Sequence, residues 1–511
     1  MIILLKRTMQ NALICRSAYT IPIYEDALKA LHSLQSNAAY LKSVIKQSAP
    51  NDAHKLKDTE KYLIRSGITL DKLDTLSVIH VAGTKGKGST CAFTEAILRK
   101  HGFSTGFFSS PHLVTVRERF RINGQPISQL HFAEYFWCVY KKLEDAKEYE
   151  SDMPTYFKFL TILMFNIFLD SNINVAIIEV GIGGESDCTN IVRNPVCVGI
   201  TSLGLDHISL LGNTIEEIAC QKSGIFKSKT IAFTVPQPVP AMNVLEKRAD
   251  EKNCKLRVAP PFVEYKWINV SPILGIRSNV QQQNASLAIQ LANVWISQND
   301  NKTSITSNGN INGLCKDQDI IDASLICTKL SENVSMDKIA LALSSCKWPG
   351  RTQILRSSVA NFFLDGAHTV ESIQCCTSWF KSMSKINGGA KYLIFNTTGD
   401  RNSTRLLMPL KSLNFEKVYF VPNFAGIQSI DDTANCSLLD EQKLKCQRNS
   451  EMWGTGSVVA DSVAEVLTDI KEKSALYNGN EKPQILVTGS LHLVGAVLTI
   501  LDPDLTMSTK F

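Results

Sequence analysis

The run Val78-Ile79-His80-Val81-Ala82-Gly83-Thr84-Lys85-Gly86-Lys87-Gly88-Ser89-Thr90 constrains this chain more than any other feature: a β-branched stretch passes straight into a glycine loop and then into helical spacing. Glycines there let backbone N–H groups converge on phosphate oxygens, and a helix start adds positive potential. Lys87 supplies a neutralising charge, and a hydroxyl at Ser89 or Thr90 is placed to reach Mg²⁺. The loop departs from the standard P-loop because Gly88 stands between the lysine and the hydroxyl residue. A tight structural turn between strand and helix is the alternative reading.

The same alternation recurs downstream. Ser89–His101 has helical spacing, Val175–Val180 and Pro195–Ser202 are apolar strands, Asn213–Ser223 is helical, and Ile231–Val235 is another strand. Strands alternating with helices predict an α/β fold with a doubly wound, mostly parallel sheet. Residues 25–346 form this N-terminal domain in our reading, with a polar, exposed insertion at 297–319 rich in Asn, Ser, Thr, Asp and Gly. The strand–helix rhythm restarts after Trp348 with Asn361–Leu364, Ala390–Asn396, Lys417–Val421 and Gln484–Thr488. Residues 347–511 are therefore expected as a second, smaller α/β domain, interrupted by a polar, loop-like stretch at 428–456.

Bulk composition excludes several classes. With 54 Lys+Arg against 48 Asp+Glu the net charge is +6 over 511 residues, too dilute for the concentrated basic stripe that binds duplex nucleic acid. The longest apolar run, Phe159–Leu169, falls short of the roughly 20 residues of a membrane span and reads as a core helix. The 14 cysteines contain no CxxC pair and read as thiols in a reducing compartment. Residues 1–24 carry Lys6, Arg7 and Arg16 and no acid, as a mitochondrial presequence would; a frayed terminus fits equally, and Met9 offers a second start that would leave the product in the cytoplasm.

Further constellations sit at predicted strand ends, where doubly wound sheets gather ligands. In Ser109-Ser110-Pro111-His112, proline restrains the loop and holds the Ser110 hydroxyl toward a metal; the following Arg117-Glu118-Arg119-Phe120-Arg121 is either a phosphate- or polycarboxylate-facing cluster or a solvated face. Glu179 closes a wholly apolar strand before Gly181-Ile182-Gly183-Gly184, and His207 follows the next strand in Leu205-Asp206-His207, so both are expected at Mg²⁺. Lys222 is either a solvated charge or a site group. In the second domain Arg351 of Trp348-Pro349-Gly350-Arg351 is placed to reach the transferring phosphate, Asp365 to bind ribose or an amine, and His368 to shape the nucleotide or amino-acid pocket; a linker arginine followed by an Asp-Gly turn is the alternative reading. Val487-Thr488-Gly489-Ser490 reads as a structural turn.

Taken together, Gly83-Thr84-Lys85-Gly86-Lys87-Gly88-Ser89, Ser109-Ser110-Pro111-His112, Glu179-Val180-Gly181-Ile182-Gly183-Gly184, Leu205-Asp206-His207, Trp348-Pro349-Gly350-Arg351 and Leu364-Asp365-Gly366-Ala367-His368 resemble the Mur-ligase superfamily, and within it the folylpolyglutamate synthases. The extension Arg121-Ile122-Asn123-Gly124-Gln125-Pro126-Ile127-Ser128 is similar to the eukaryotic enzymes. The resemblance implies an ATP-dependent ligase that joins L-glutamate to the γ-carboxylate of a tetrahydrofolate through an acyl phosphate. It implies Mg²⁺ at Ser110, Glu179 and His207, a phosphate loop at Gly86, Lys87, Gly88 and Ser89, ATP contacts from Arg351 and Asp365, a carbamylated Lys222, a monovalent cation such as K⁺, and a monomer. Catalytic roles fall to Lys87, Lys222, Arg351 and His368. Two rivals stand beside it: a dihydrofolate synthase, and a P-loop ATPase without ligation.

Overall fold

The computed structural model describes residues 23–34, 52–268, 270–307, 330–384, 389–398, 403–427, 439–474 and 482–511. Two compact units emerge. The first takes in the chain up to Ser110, Arg119–Pro272 and Gln282–Ser345; the second takes in Pro111–Glu118, Ile273–Gln281 and Cys346–Phe511. Two short internal segments thus belong to the second unit, which differs from a contiguous division at residue 346.

The strands of the first unit are β1 (Val78–Ala82), β2 (Thr105–Phe108), β3 (Phe120–Ile122), β4 (Gln125–Pro126), β5 (Val175–Glu179), β6 (Cys197–Ile200), β7 (Ile231–Thr234) and β8 (Lys255–Val258). Their order is β4-β3-β2-β5-β1-β6-β7-β8, antiparallel at the β3 and β4 edge and parallel elsewhere. Every residue of β1, β2, β5 and β6 is buried. Such uninterrupted burial is the mark of parallel strands covered on both faces. The apolar run expected to be a core helix is one, Tyr156–Asp170, with Phe159–Phe165 buried. Among the described residues no helix is long and apolar enough to cross a membrane.

In the second unit β9 (Gln353–Arg356), β10 (Asn361–Leu364), β11 (Lys391–Phe395), β12 (Lys417–Phe420), β13 (Ser457–Val459) and β14 (Gln484–Thr488) form a sheet of order β13-β12-β11-β14-β10-β9, in which only β9 runs antiparallel. Alternate residues face opposite sides: Phe362, Leu364, Ile394 and Val487 join one apolar core, and Phe363, Leu393, Phe395 and Leu486 join the other.

Two polar stretches behave differently from expectation. The helix Val280–Ser307 runs through the first part of the 297–319 segment, and residues 308–319 lie outside the described residues. Within 428–456, Leu439–Trp453 is a helix rather than a loop: Cys446 is buried in the apolar core and Trp453 packs against Phe415 and Phe420, so a few apolar contacts order a mostly polar segment. Residues 428–438 are outside the described residues.

Burial of one carboxylate ties helices of the first unit together. Asp152 is fully buried and accepts from Lys61 Nζ (2.8 Å), Tyr62 Oη (2.9 Å) and Arg65 Nη1 (2.7 Å). Burial alone would raise its pKa, but the hydrogen bonds from Lys61 and Arg65 outweigh it and hold the carboxyl well below the usual range. Stability from this group is present above the ordinary aspartate pKa and lost as pH falls below it. Asp152→Ala should therefore destabilise by about 3 kcal/mol in urea unfolding at pH 7, because three donors lose one acceptor, and the deficit should shrink in acid.

Candidate active site

The parallel register puts the ends of β5, β1 and β6 side by side: Val81 pairs with Glu179, and Ala82 with Ile200. Adjacent strands lie about 4.8 Å apart, so whatever follows these three ends shares one edge of the sheet. β1 is followed by the glycine loop. Gly83 has φ +145°, and a Cβ there would stand 1.8 Å from Thr201 Oγ1. The loop after β6 is laced to it: the N–H groups of Thr84 and Lys85 donate to Ser202 O (3.0 and 3.1 Å), and Thr84 Oγ1 to Gly204 O (3.1 Å).

Gly86, with φ +90°, then starts the helix Lys87–Lys100. No side chain caps this helix and no acid lies in its first turn, whereas Ser128, Thr214 and Ser490 cap the helices they precede. Its first-turn N–H groups are thus left to an anion. A Cβ on Gly86 would lie 2.3 Å from Asn284 Oδ1, so the loop surface is formed by backbone with a carboxamide against it. Ser89 and Thr90 are buried in the helix, and Thr90 Oγ1 has no hydrogen-bond partner.

Two lysines converge on one carbonyl. Lys87 Nζ donates to Gly83 O at 3.2 Å, and Lys222 Nζ to the same oxygen at 2.9 Å. Lys222 is 3% exposed. Burial, reinforced by the neighbouring Lys87 charge, lowers its pKa to about 7. The helix that delivers it, Ile215–Lys222, is fixed by a capping box in which Thr214 Oγ1 accepts from Glu217 N–H and the Glu217 carboxylate accepts from Thr214 N–H. Of the two readings of Lys222, the solvated charge is thereby excluded.

Glu179 is 5% exposed and its Oε2 accepts the Ser110 N–H at 3.1 Å, bringing two of the expected metal positions into direct contact. His207 has a left-handed backbone, φ +50°, and stays half-exposed, with Nε2 4.0 Å from Asp206 Oδ2. Among the described residues no group of three or more His, Cys, Asp or Glu forms a ready metal cage. Mg²⁺ usually takes one or two carboxylates and completes its shell with phosphate and water, so one buried carboxylate beside a serine fits that ion. The Arg117–Arg121 run is not a solvated face: Glu118 is buried and accepts from Leu113, Val114 and Thr115 N–H, and buried Arg119 stands 5.8 Å over the Tyr156 ring.

In the second unit the predicted residues also share a loop. Asp365 Oδ2 accepts Thr352 N–H (2.8 Å) and Oδ1 accepts Ala367 N–H (3.0 Å). Burial raises the Asp365 pKa while Arg351 works against it. A Cβ on Gly366 would lie 2.8 Å from Arg351 Nη1, so the guanidinium rests on a surface that only glycine leaves open. His368 Nδ1 lies 2.7 Å from Gly366 O; a carbonyl can only accept, so Nδ1 carries a proton.

Comparison with known proteins bears directly on this arrangement. Residues 81–260 match the Mur ligase middle domain, and residues 351–500 match the dihydrofolate synthetase C-terminal domain. The mitochondrial folylpolyglutamate synthase of Cricetulus griseus is 39% identical, covering 94% of this chain and 92% of its own. This chain belongs to the folylpolyglutamate synthase family. The folylpolyglutamate synthase of Saccharomyces cerevisiae strain YJM789 is 37% identical over 94% of this chain and 87% of its own. The fold is that of E. coli FolC solved in complex with DHPP and ADP, with TM-score 0.65 and 24% identity over 94% of this chain and 98% of that one.

For a folylpolyglutamate synthase, sequence reasoning missed several residues at this edge. Asn284 lies about two hundred positions from the loop it covers, in a glutamine-rich helix start with no local signal of its own. Thr201, which forces glycine at 83, sits in a strand end that reads as ordinary core. Asn190 Nδ2 bonds both Glu185 O (3.0 Å) and Gly224 O (3.2 Å), joining the turn after Glu179 to the end of the Lys222 helix.

The lowered pKa of Lys222 carries a sign. Between about 7 and 10.5 the unfolded chain holds a proton that the folded lysine has released, so stability rises with pH across that interval. Relative to Lys222→Met, the wild type should gain stability from pH 7 to pH 10, by at most about 4 kcal/mol, in denaturant titrations at a series of pH values.

Proposed function

We propose that this member of the folylpolyglutamate synthase family adds L-glutamate to the γ-carboxylate of tetrahydrofolates at the expense of ATP. A carboxylate is a poor electrophile at neutral pH. Phosphorylation of its oxygen by ATP gives an acyl phosphate with a competent leaving group, and attack by the glutamate amine then forms the γ-amide and releases phosphate. The carrying observation is the uncapped helix start at Gly86–Ser89, flanked by Lys87 and set at the edge where β1, β5 and β6 end, in a chain 39% identical to a folylpolyglutamate synthase.

In this reading the N–H groups of Gly86–Ser89 and the Lys87 ammonium bind the transferring phosphates. Ser110, Glu179 and His207 hold Mg²⁺, which when bound neutralises charge developing on the phosphoryl oxygens. Lys222, buried with a pKa of about 7, is present in good part as the free amine near neutrality, the form that takes up CO₂; this supports the carbamylated state expected from the resemblance. Arg351 and Asp365 serve ATP, and His368 the incoming amino acid. We include in the proposal a monovalent cation such as K⁺, a monomeric enzyme, and placement in both mitochondria and cytoplasm according to the start at Met1 or Met9. Mitochondrial relatives support the first compartment; residues 1–22 are outside the described residues.

The deciding experiment is mass spectrometry of tetrahydrofolate after incubation with protein, Mg-ATP and glutamate: a ladder of added glutamyl masses is expected. ADP should appear only when folate and glutamate are both present, and ADP release indifferent to both would refute the ligase. Lys87→Ala should lower turnover at least about 10³-fold with an unchanged melting temperature. Arg351→Ala should cut kcat about 10²-fold or more while leaving unfolding unmoved, as measured by steady-state kinetics alongside thermal melts.

A further inference from the structure

One buried network at this edge has no place in the scheme above. His80, fully buried on β1, lies 2.9 Å through Nε2 from Thr189 Oγ1, which in turn lies 2.5 Å from Asp187 Oδ1. Asp187 also accepts the N–H groups of Thr189 (2.9 Å), Ile182 (3.0 Å) and Gly181. Burial raises the Asp187 pKa, and the four donors converging on the carboxyl work against it by favouring the carboxylate, which can only accept. The Thr189 hydroxyl must therefore give its one proton to Asp187, and its oxygen must receive one from His80. That fixes the tautomer: His80 is neutral, Nε2 carries the hydrogen, and Nδ1 is a bare lone pair, buried with no partner.

The geometry has a direction. Gly181 and Ile182 begin the turn that leaves Glu179, so Asp187 holds the backbone that carries this carboxylate. Phe157 packs where a Gly181 Cβ would be (2.6 Å), and Glu185 N–H donates to Gln221 O (2.7 Å), so the turn is gripped at both ends, its backbone held by the Asp187 and Asn190 side chains and its Glu185 carboxylate by Arg248. His80 itself belongs to the strand that leads into the phosphate loop. We infer that His80 is a positioning residue: through Thr189 and Asp187 it ties the turn behind Glu179 to the strand beneath the phosphate loop, and so sets how tightly the nucleotide-bound enzyme holds its divalent cation. This rests on Glu179 being a metal position in the proposed function.

The test compares pairs that keep or lose one donor: Thr189→Ser against Thr189→Val, and His80→Gln against His80→Met. ADP binding is measured calorimetrically in EDTA and then across a Mg²⁺ titration, with thermal melts in parallel. Thr189→Val and His80→Met are expected to bind ADP in EDTA like the wild type but to need about tenfold more Mg²⁺ for half-saturation, whereas the Ser and Gln variants stay near the wild-type requirement. A Val or Met variant that melts earlier yet keeps the wild-type Mg²⁺ requirement overturns the inference, as does a Ser or Gln variant as impaired as its apolar counterpart. If one apolar variant fails to fold, the other pair decides. The titration needs no ligation, so a protein that binds Mg-ADP normally but never lengthens a folate would sink the proposed function and leave this inference standing.

Discussion

A single backbone oxygen organises the sheet edge where β1, β5 and β6 end. The Gly83 carbonyl accepts from both Lys87 and Lys222, two cations that would repel each other at this distance. The conflict is resolved by deprotonation rather than by distance: burial and the Lys87 charge leave Lys222 with a pKa near neutrality. The arrangement also depends on Gly83 having no side chain, because Thr201 fills that space. One glycine thus fixes the carbonyl, and the carbonyl aligns the two lysines.

Much of this was legible in the chain because the chemistry is local. The strand, glycine loop and helix at 78–100 are consecutive, and the apolar runs at 175–180 and 361–364 announce buried parallel strands without any tertiary knowledge. Glu179, Lys87 and Asp365 could be singled out because a charge ending an apolar strand, or standing among glycines, is costly without a purpose. Asn284, Thr189 and His80 gave no such warning. Asn284 reaches Gly86 across 198 positions, and a histidine inside a strand looks the same whether its ring is packed or hydrogen-bonded.

The misread stretch at 439–453 has a simple cause. Composition measures how much apolar surface a segment can bury, and this one buries little. Order came instead from a few contacts with an existing core, where Trp453 and Cys446 anchor a helix that is otherwise mostly polar. Lys222 shows the converse: its helix is short and polar, yet a capping box and a buried terminus place its last residue against the Gly83 carbonyl.

The division of the chain has a consequence for how this molecule is made. The second unit draws on Pro111–Glu118 and Ile273–Gln281 as well as on everything after Cys346. Glu118 organises the first of these through three backbone amides, and Gly495 has the Leu113 carbonyl 2.2 Å from where its own Cβ would be. No cut in the gene can excise that lobe as one continuous piece. During synthesis, a loop emitted in the first quarter of translation meets the helix it packs against only when the chain is almost complete.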